Sequence, residues 1–265
     1  MNQILWTLDN YIKMKTKILS THLDSTTYEQ TFNQMMNYLV HSKSPAYVTL
    51  NNAHTVVEGV FHPKFSTIIN KGFMALPDGR PLSMVARWKG DYNMKRVFGP
   101  TLLEKILEWG QEKKIKHYFF GSTKDILNLM ASTIQSKFPE AIVCGMLSPP
   151  FKPLTTEENL KFISQINEAN PDIIWVGLGA PKQENWMSEN YTQFNRGILI
   201  GVGAGFDYLA GKTKHAPRWM KKYALEWFYR LLQEPRRLWK RYVFTNPLFI
   251  LLNILEFLKL KSYKY

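Results

Sequence analysis

Ile173-Ile174-Trp175-Val176-Gly177-Leu178-Gly179-Ala180-Pro181 is an unbroken apolar run stopped by a glycine-rich loop. Four apolar residues without polar alternation suit a strand buried on both faces, as in a parallel sheet covered by helices. The pattern returns at 197–202, where an apolar run closes on Gly203-Ala204-Gly205. Further strands are expected at 46–50, running into Asn51-Asn52, and at 73–76, halted by Pro77-Asp78-Gly79. Two more fall at 117–120, ended by Gly121, and at 141–144. Between them lie helical stretches: 28–40 behind Ser25-Thr26-Thr27, then 101–113, 124–137 and 156–169. Strands alternating with helices predict an α/β fold, a Rossmann-like parallel sheet flanked by helices. Ligands of such sheets bind in the loops beyond the strand ends.

The 265 residues suffice for one large α/β domain, or one domain with an appendage. A single cysteine, Cys144, excludes a disulfide framework and a cysteine-based zinc site. No basic segment, apolar run and small-residue cleavage site combine near Met1, so the chain reads as intracellular. The net charge of +13 is unevenly spread: from Gly211 onward, 13 Lys/Arg face only Glu226, Glu234 and Glu256. The division is therefore drawn at 1–211 for the sheet domain and 212–265 for a basic, amphipathic helical appendage. In that appendage a helix is expected from Pro217 to about Leu232, a second from Arg236, and a third after a break at Pro247. Its apolar stretch 242–258 holds Asn246, Pro247, Asn253 and Glu256, and is too interrupted to span a bilayer. Basic residues interleaved with Trp219, Trp227, Trp239 and Tyr242 suit an anionic membrane surface. They would also suit nucleic acid, but the apolar run 248–258 argues against a groove-binding element.

Several strand ends carry chemistry. Gly201-Val202-Gly203-Ala204-Gly205-Phe206-Asp207 completes neither a Walker motif nor a dinucleotide fingerprint, because Phe206 occupies the glycine position of both. Glycines there still let backbone N–H groups approach a phosphate, and Asp207 is placed to bond a ribose hydroxyl. Lys182, Gln183 and Glu184 bunch after the Gly177–Pro181 turn, where an amide either meets a ligand or caps the next helix. Asp78 offers one carboxylate before a glycine, a turn residue or a general base. No Asp-x-Asp pair, no metal-ligand spacing among the six histidines and no Gly-x-Ser-x-Gly elbow occurs.

Together these pieces resemble the WecG/TagA/CpsF glycosyltransferases, glycosyltransferase family 26. The strongest matches are Val176–Glu184, Gly201–Gly211 and Leu225-Glu226-Trp227-Phe228-Tyr229-Arg230-Leu231-Leu232-Gln233-Glu234-Pro235-Arg236-Arg237. The resemblance implies an inverting, metal-independent transferase that needs no cofactor beyond its UDP-sugar donor. Its acceptor would be a polyprenyl-diphosphate-linked sugar of cell-surface polysaccharide synthesis, such as that of teichoic acid, capsule or exopolysaccharide. The donor sugar would be N-acetylmannosamine or a related hexose or uronate. The enzyme would be cytoplasmic and peripheral on the inner face of the membrane. Carried onto matching positions, Asp78 resembles the catalytic base, with Thr49, Asn51 and Gln183 as pocket neighbours. Asp207 would lie near the nucleoside, Gly203 would be among the substrate-binding residues, and Arg230, Arg237 and Arg241 would meet the donor diphosphate, with Lys240 nearby. A noncatalytic sugar-nucleotide-binding relative is the alternative that intact Asp78 and Gln183 disfavour. The apolar face of the tail could also be buried in a partner subunit, giving a homo-oligomer.

Overall fold

The computed structural model describes residues 14–217, 219–220, 223 and 225–263. Six strands form one parallel sheet: β3 (Ala46–Asn51), β4 (Met74–Pro77), β5 (Lys116–Gly121), β6 (Ile142–Leu147), β7 (Ile173–Gly177) and β8 (Ile198–Gly201), in the order β4-β3-β8-β7-β5-β6. Every expected strand is present, and all neighbours pair in parallel. The central strands are apolar throughout because both faces are covered. Trp175 joins a core with Phe32, Leu103, Ile106 and Met130, whereas Ile174 and Val176 join Ile163, Ile166 and Met187 on the other side. This is the alternation a pleated strand imposes.

The helices on these faces are α1 (Tyr28–His41), α5 (Gly99–Trp109), α6 (Lys124–Lys137), α7 (Thr156–Ala169) and α8 (Lys182–Asn190). Three of them start on a threonine: Thr27, Thr123 and Thr155 each accept a backbone N–H of the first turn. Such caps contribute about 1 kcal/mol each. Three further helices escape the periodicity reading: α2 (Ala53–Phe61), α3 (Pro63–Lys71) and α4 (Arg80–Trp88). They are nine residues each, too short to show a full apolar stripe. A hairpin of β1 (Lys15–Ile18) and β2 (Thr21–Asp24) is also new. Asp24 accepts the N–H of Ala75 at 2.6 Å, which occupies the free edge of β4.

The short helix α9 (Gly205–Leu209) leads into the C-terminal segment, which ends in α10 (Glu226–Gln233) and α11 (Pro235–Phe257). Two expectations change here. The helix expected from Pro217 to about Leu232 is interrupted: Trp219 and Met220 are helical, Leu225 is not, and α10 follows from Glu226, while residues 218, 221, 222 and 224 lie outside the described ones. The break expected at Pro247 is absent, and α11 runs through it for 23 residues. Packing explains this. Thr245, Phe249, Leu252 and Asn253 are all buried on the body of the protein, on both sides of the proline. That contact offsets the hydrogen bond the proline removes. Phe249, Leu252 and Tyr263 share a core cluster with Val56, Ile69 and Leu82. Lys89 pairs with Glu256 at 2.6 Å, and Lys17 donates to the Tyr263 carbonyl at 2.8 Å, pinning the far end. Among the described residues no helix is long and apolar enough to cross a membrane.

Candidate active site

Because the sheet is parallel, the loops after β3, β4, β5, β7 and β8 open on one edge. There they line a cleft of about 510 Å³, floored by Gly177–Ala180 and Gly201–Gly205 and roofed by Arg230, Arg237 and Leu238. A smaller cleft of about 110 Å³ adjoins it under α10 and α11. Asn52, Asp78, Phe98, Tyr208 and Arg230 line both, so the two clefts meet at Asp78.

Asp78 sits in a turn that the chain on β3 holds. The Asn51 carbonyl accepts the N–H groups of Asp78 at 2.7 Å and Gly79 at 3.2 Å. Its Oδ1 accepts the Gly99 N–H at the start of α5, at 2.6 Å. Arg96 donates Nε to the Asp78 carbonyl at 2.6 Å and pairs with Glu226 of α10. Burial pushes the Asp78 carboxyl above the usual carboxylate range, against the pull of Arg96, the Gly99 N–H and Arg230. Asp78 is thus a turn residue whose side chain lines the cleft.

Arg96 lies over the Phe98 ring at 4.3 Å, Phe98 meets Tyr208 edge-on at 5.5 Å, and Arg230 lies 5.9 Å from the Tyr208 ring. The aromatic pair keeps two guanidinium groups apart while favouring each through its ring face. Burial pushes the Tyr208 hydroxyl up to about 12, so the ring stays neutral. Glu234, between α10 and α11, holds both roof arginines: it is 3.6 Å from Arg230 and 2.7 Å from Arg237. The Nε of Arg230 is buried without a hydrogen-bond partner. An unmet guanidinium N–H in a cleft is a donor waiting for an anionic acceptor.

Gln183 and Gly203 both line the large cleft, as does Asp207. Gln183 also braces the turn before α8: its Oε1 accepts the Gly179 N–H at 3.1 Å, and its Nε2 donates to Glu184 at 2.9 Å. A Cβ on Gly201 would come within 2.9 Å of that amide and 2.8 Å of the Met187 methyl, so a larger residue would have to push both side chains aside. Burial raises the Asp207 carboxyl, opposed by Arg237. Thr49 and Asn51 are placed differently from their expected position as pocket neighbours. Both are fully buried and line neither cleft; Asn51 donates to Thr49 Oγ1 at 3.0 Å and supports the floor, while Asn52 lines the wall. Arg241 is on α11, one residue before Tyr242 of the small cleft, and its side chain lies outside the described residues. Sequence reasoning missed Arg96, which sits in a loop with no motif around it. It also missed Glu226 and Glu234, visible only as exceptions in a basic tail.

The model of the glycosyl transferase WecG/TagA/CpsF family matches residues 16–263. The chain belongs to this family. It is therefore a glycosyltransferase, as the earlier resemblance implied. One WecG/TagA/CpsF relative is the N-acetylglucosaminyldiphosphoundecaprenol N-acetyl-β-D-mannosaminyltransferase of Bacillus subtilis (strain 168), 28% identical over 204 residues, 77% of either chain. The protein of the same name from Staphylococcus aureus (strain MW2) is 25% identical over 231 residues, 86% of either chain. The match extends through α10 and α11, so the segment that roofs the cleft is part of the family's shared sequence.

Proposed function

We propose that this WecG/TagA/CpsF protein transfers N-acetylmannosamine, or a closely related sugar, from a UDP donor to a polyprenyl-diphosphate-linked N-acetylglucosamine. The names of its relatives supply the sugar and acceptor class. The observation that carries the reading is Asp78, a carboxylate of raised pKa where two clefts meet beneath Arg230. Such a carboxylate can take the proton of an acceptor hydroxyl. That hydroxyl then attacks the anomeric carbon in line with the departing UDP, inverting the configuration. Arg230 and Arg237 meet the charge that develops on the leaving diphosphate, forming bidentate, charge-assisted hydrogen bonds in place of Glu234. Residues 1–211 act as the catalytic domain and 212–265 as an appendage that completes the site.

The appendage also supports a peripheral place on an anionic membrane. Val243, Phe244, Ile250, Leu251 and Phe257 of α11 are each more than half exposed, among the lysines and arginines of the tail. A surface helix that mixes apolar and basic side chains in this way suits the interface of an acidic bilayer.

The test is a transfer assay without added metal, using a panel of UDP-sugars and a short-chain lipid-diphosphate-N-acetylglucosamine, read by mass spectrometry. A lipid product with UDP-N-acetylmannosamine is expected. Silence across the panel, with no UDP binding in a separate titration, would overturn the reading.

A further inference from the structure

Glu184 is fully buried, yet it carries a carboxylate. Holding that group away from water is costly unless polar partners meet it, and an apolar residue would fill the same space more easily. A buried acid beside a cleft therefore calls for a task that an apolar residue cannot perform. None of the steps assigned to Asp78, Arg230 and Arg237 uses it. Glu184 lies in the first turn of α8, where the helix dipole favours a negative charge.

Its link to the cleft is its neighbour in sequence. Gln183 lines the large cleft with only 3% of its surface exposed, so its side chain has no room to swing to another orientation. The amide is fixed at both ends. The Gln183 backbone N–H donates to the Gly179 carbonyl at 3.0 Å, and the Gly179 N–H donates to Gln183 Oε1 at 3.1 Å. A backbone N–H only donates, so the oxygen end of the amide must face Gly179. Nε2 then turns to Glu184, whose carboxylate oxygen accepts at 2.9 Å. The loop after β8 closes on the same amide: a Cβ on Gly203 would lie 3.5 Å from Oε1.

An amide nitrogen carries two N–H groups. Glu184 takes one, and the other has no acceptor among the described residues. A carboxylate suits this duty because it only accepts, and so holds the nitrogen and never the oxygen. A neutral amide in its place could serve either end.

We infer that Glu184 is a positioning residue of the transfer reaction: it holds Gln183 Nε2 so that the second N–H donates to an oxygen of the bound sugar nucleotide. Glu184 itself lines neither cleft at Asp78 and acts only through Gln183. The inference rests on the transferase reading and adds a residue that never touches substrate.

The test takes three full-length variants through the transfer assay, with thermal unfolding and UDP titration alongside. Glu184→Gln keeps the size and removes the charge. Its kcat/KM for the UDP-sugar should fall roughly tenfold, the effect of weakening one hydrogen bond to a charged group, while the unfolding midpoint stays close to wild type. Gln183→Glu sets two carboxylates side by side and should lose both stability and activity. The double exchange, Gln183→Glu with Glu184→Gln, re-forms the pair with donor and acceptor reversed. Stability should then return and activity should not, because the cleft meets only acceptors. A double exchange as active as wild type would overturn the inference, since the donated N–H would be dispensable. Unchanged kcat/KM in Glu184→Gln would overturn it too, as would a loss fully matched by loss of folded protein. Wild-type protein that binds no UDP and transfers from no donor would instead remove the transferase reading itself.

Discussion

Glu226, on α10, forms its ion pair with Arg96, 130 residues earlier in the chain. The roof of the cleft is thereby tied to the residue that grips the Asp78 carbonyl. The two partners act on Asp78 in opposite senses: Arg96 lowers its pKa and Glu226 raises it.

The acidic limb of the pH–rate profile should accordingly move both ways. Only ionised Asp78 can accept a proton, so activity falls as pH drops through its raised pKa. Arg96→Gln removes the stabilising cation and should shift that limb to higher pH. Glu226→Gln should shift it lower. Two shifts of the same sign in kcat/KM against pH would exclude Asp78 as the titrating group.

Asp78→Asn keeps the turn, because the Asn51 carbonyl bonds the backbone and not the side chain. Turnover should fall by about 10² or more, the usual contribution of a general base, with UDP affinity unchanged. Comparable activity in the variant would take the base role away from Asp78.

Arg230→Gln and Arg237→Gln should each lower kcat by roughly 10²–10³, as loss of one donor to a developing anion commonly does. Arg237 is the more exposed of the two, so its loss should be the smaller. A rise in donor KM with kcat unchanged would show that they only bind the ground state.

Phe244→Ser combined with Ile250→Ser removes two exposed apolar side chains of α11 without touching its buried face. Sedimentation with vesicles rich in anionic lipid should drop several-fold, while thermal unfolding stays within a few degrees. Undiminished vesicle binding would shift the membrane role away from this helix.

His117 should make stability pH-dependent. It is fully buried, accepts a hydrogen bond from Trp175 Nε1 at 3.3 Å, and burial lowers its pKa to about 3 from 6.5. Between those values the unfolded chain binds a proton that the folded one refuses, so stability is full above 6.5 and declines as pH falls towards 3. The decline approaches about 1.4 kcal/mol per pH unit. Urea midpoints at stepped pH should show a flatter slope for His117→Gln, and an identical slope would assign the acid sensitivity elsewhere.

The sheet was legible because Ile173, Ile174, Trp175 and Val176 each need an apolar neighbour on alternate faces, a demand written in the residues themselves. Asp78, Gln183 and Asp207 were legible because they sit beside glycines at strand ends. Arg96 was not, since its importance comes from Glu226 and the Asp78 carbonyl, partners far away in sequence. The continuity of α11 through Pro247 was hidden for the same reason: Phe249 and Leu252 are held by α2 and its neighbours, and no local propensity records that. Thr49 and Asn51 are pocket neighbours only by the resemblance; two apart in β3, they share one face of the strand and are buried behind the floor, where burial and not residue type decides their part.

Helix α11 is one rod through Pro247, and it rests on α2, where Thr245 Oγ1 lies 3.4 Å from His54 Nδ1. His54 stands three residues from Asn51, whose carbonyl carries the Asp78 turn. The outermost helix and the turn that carries the carboxylate therefore lean on one short stretch of chain, residues 51–61.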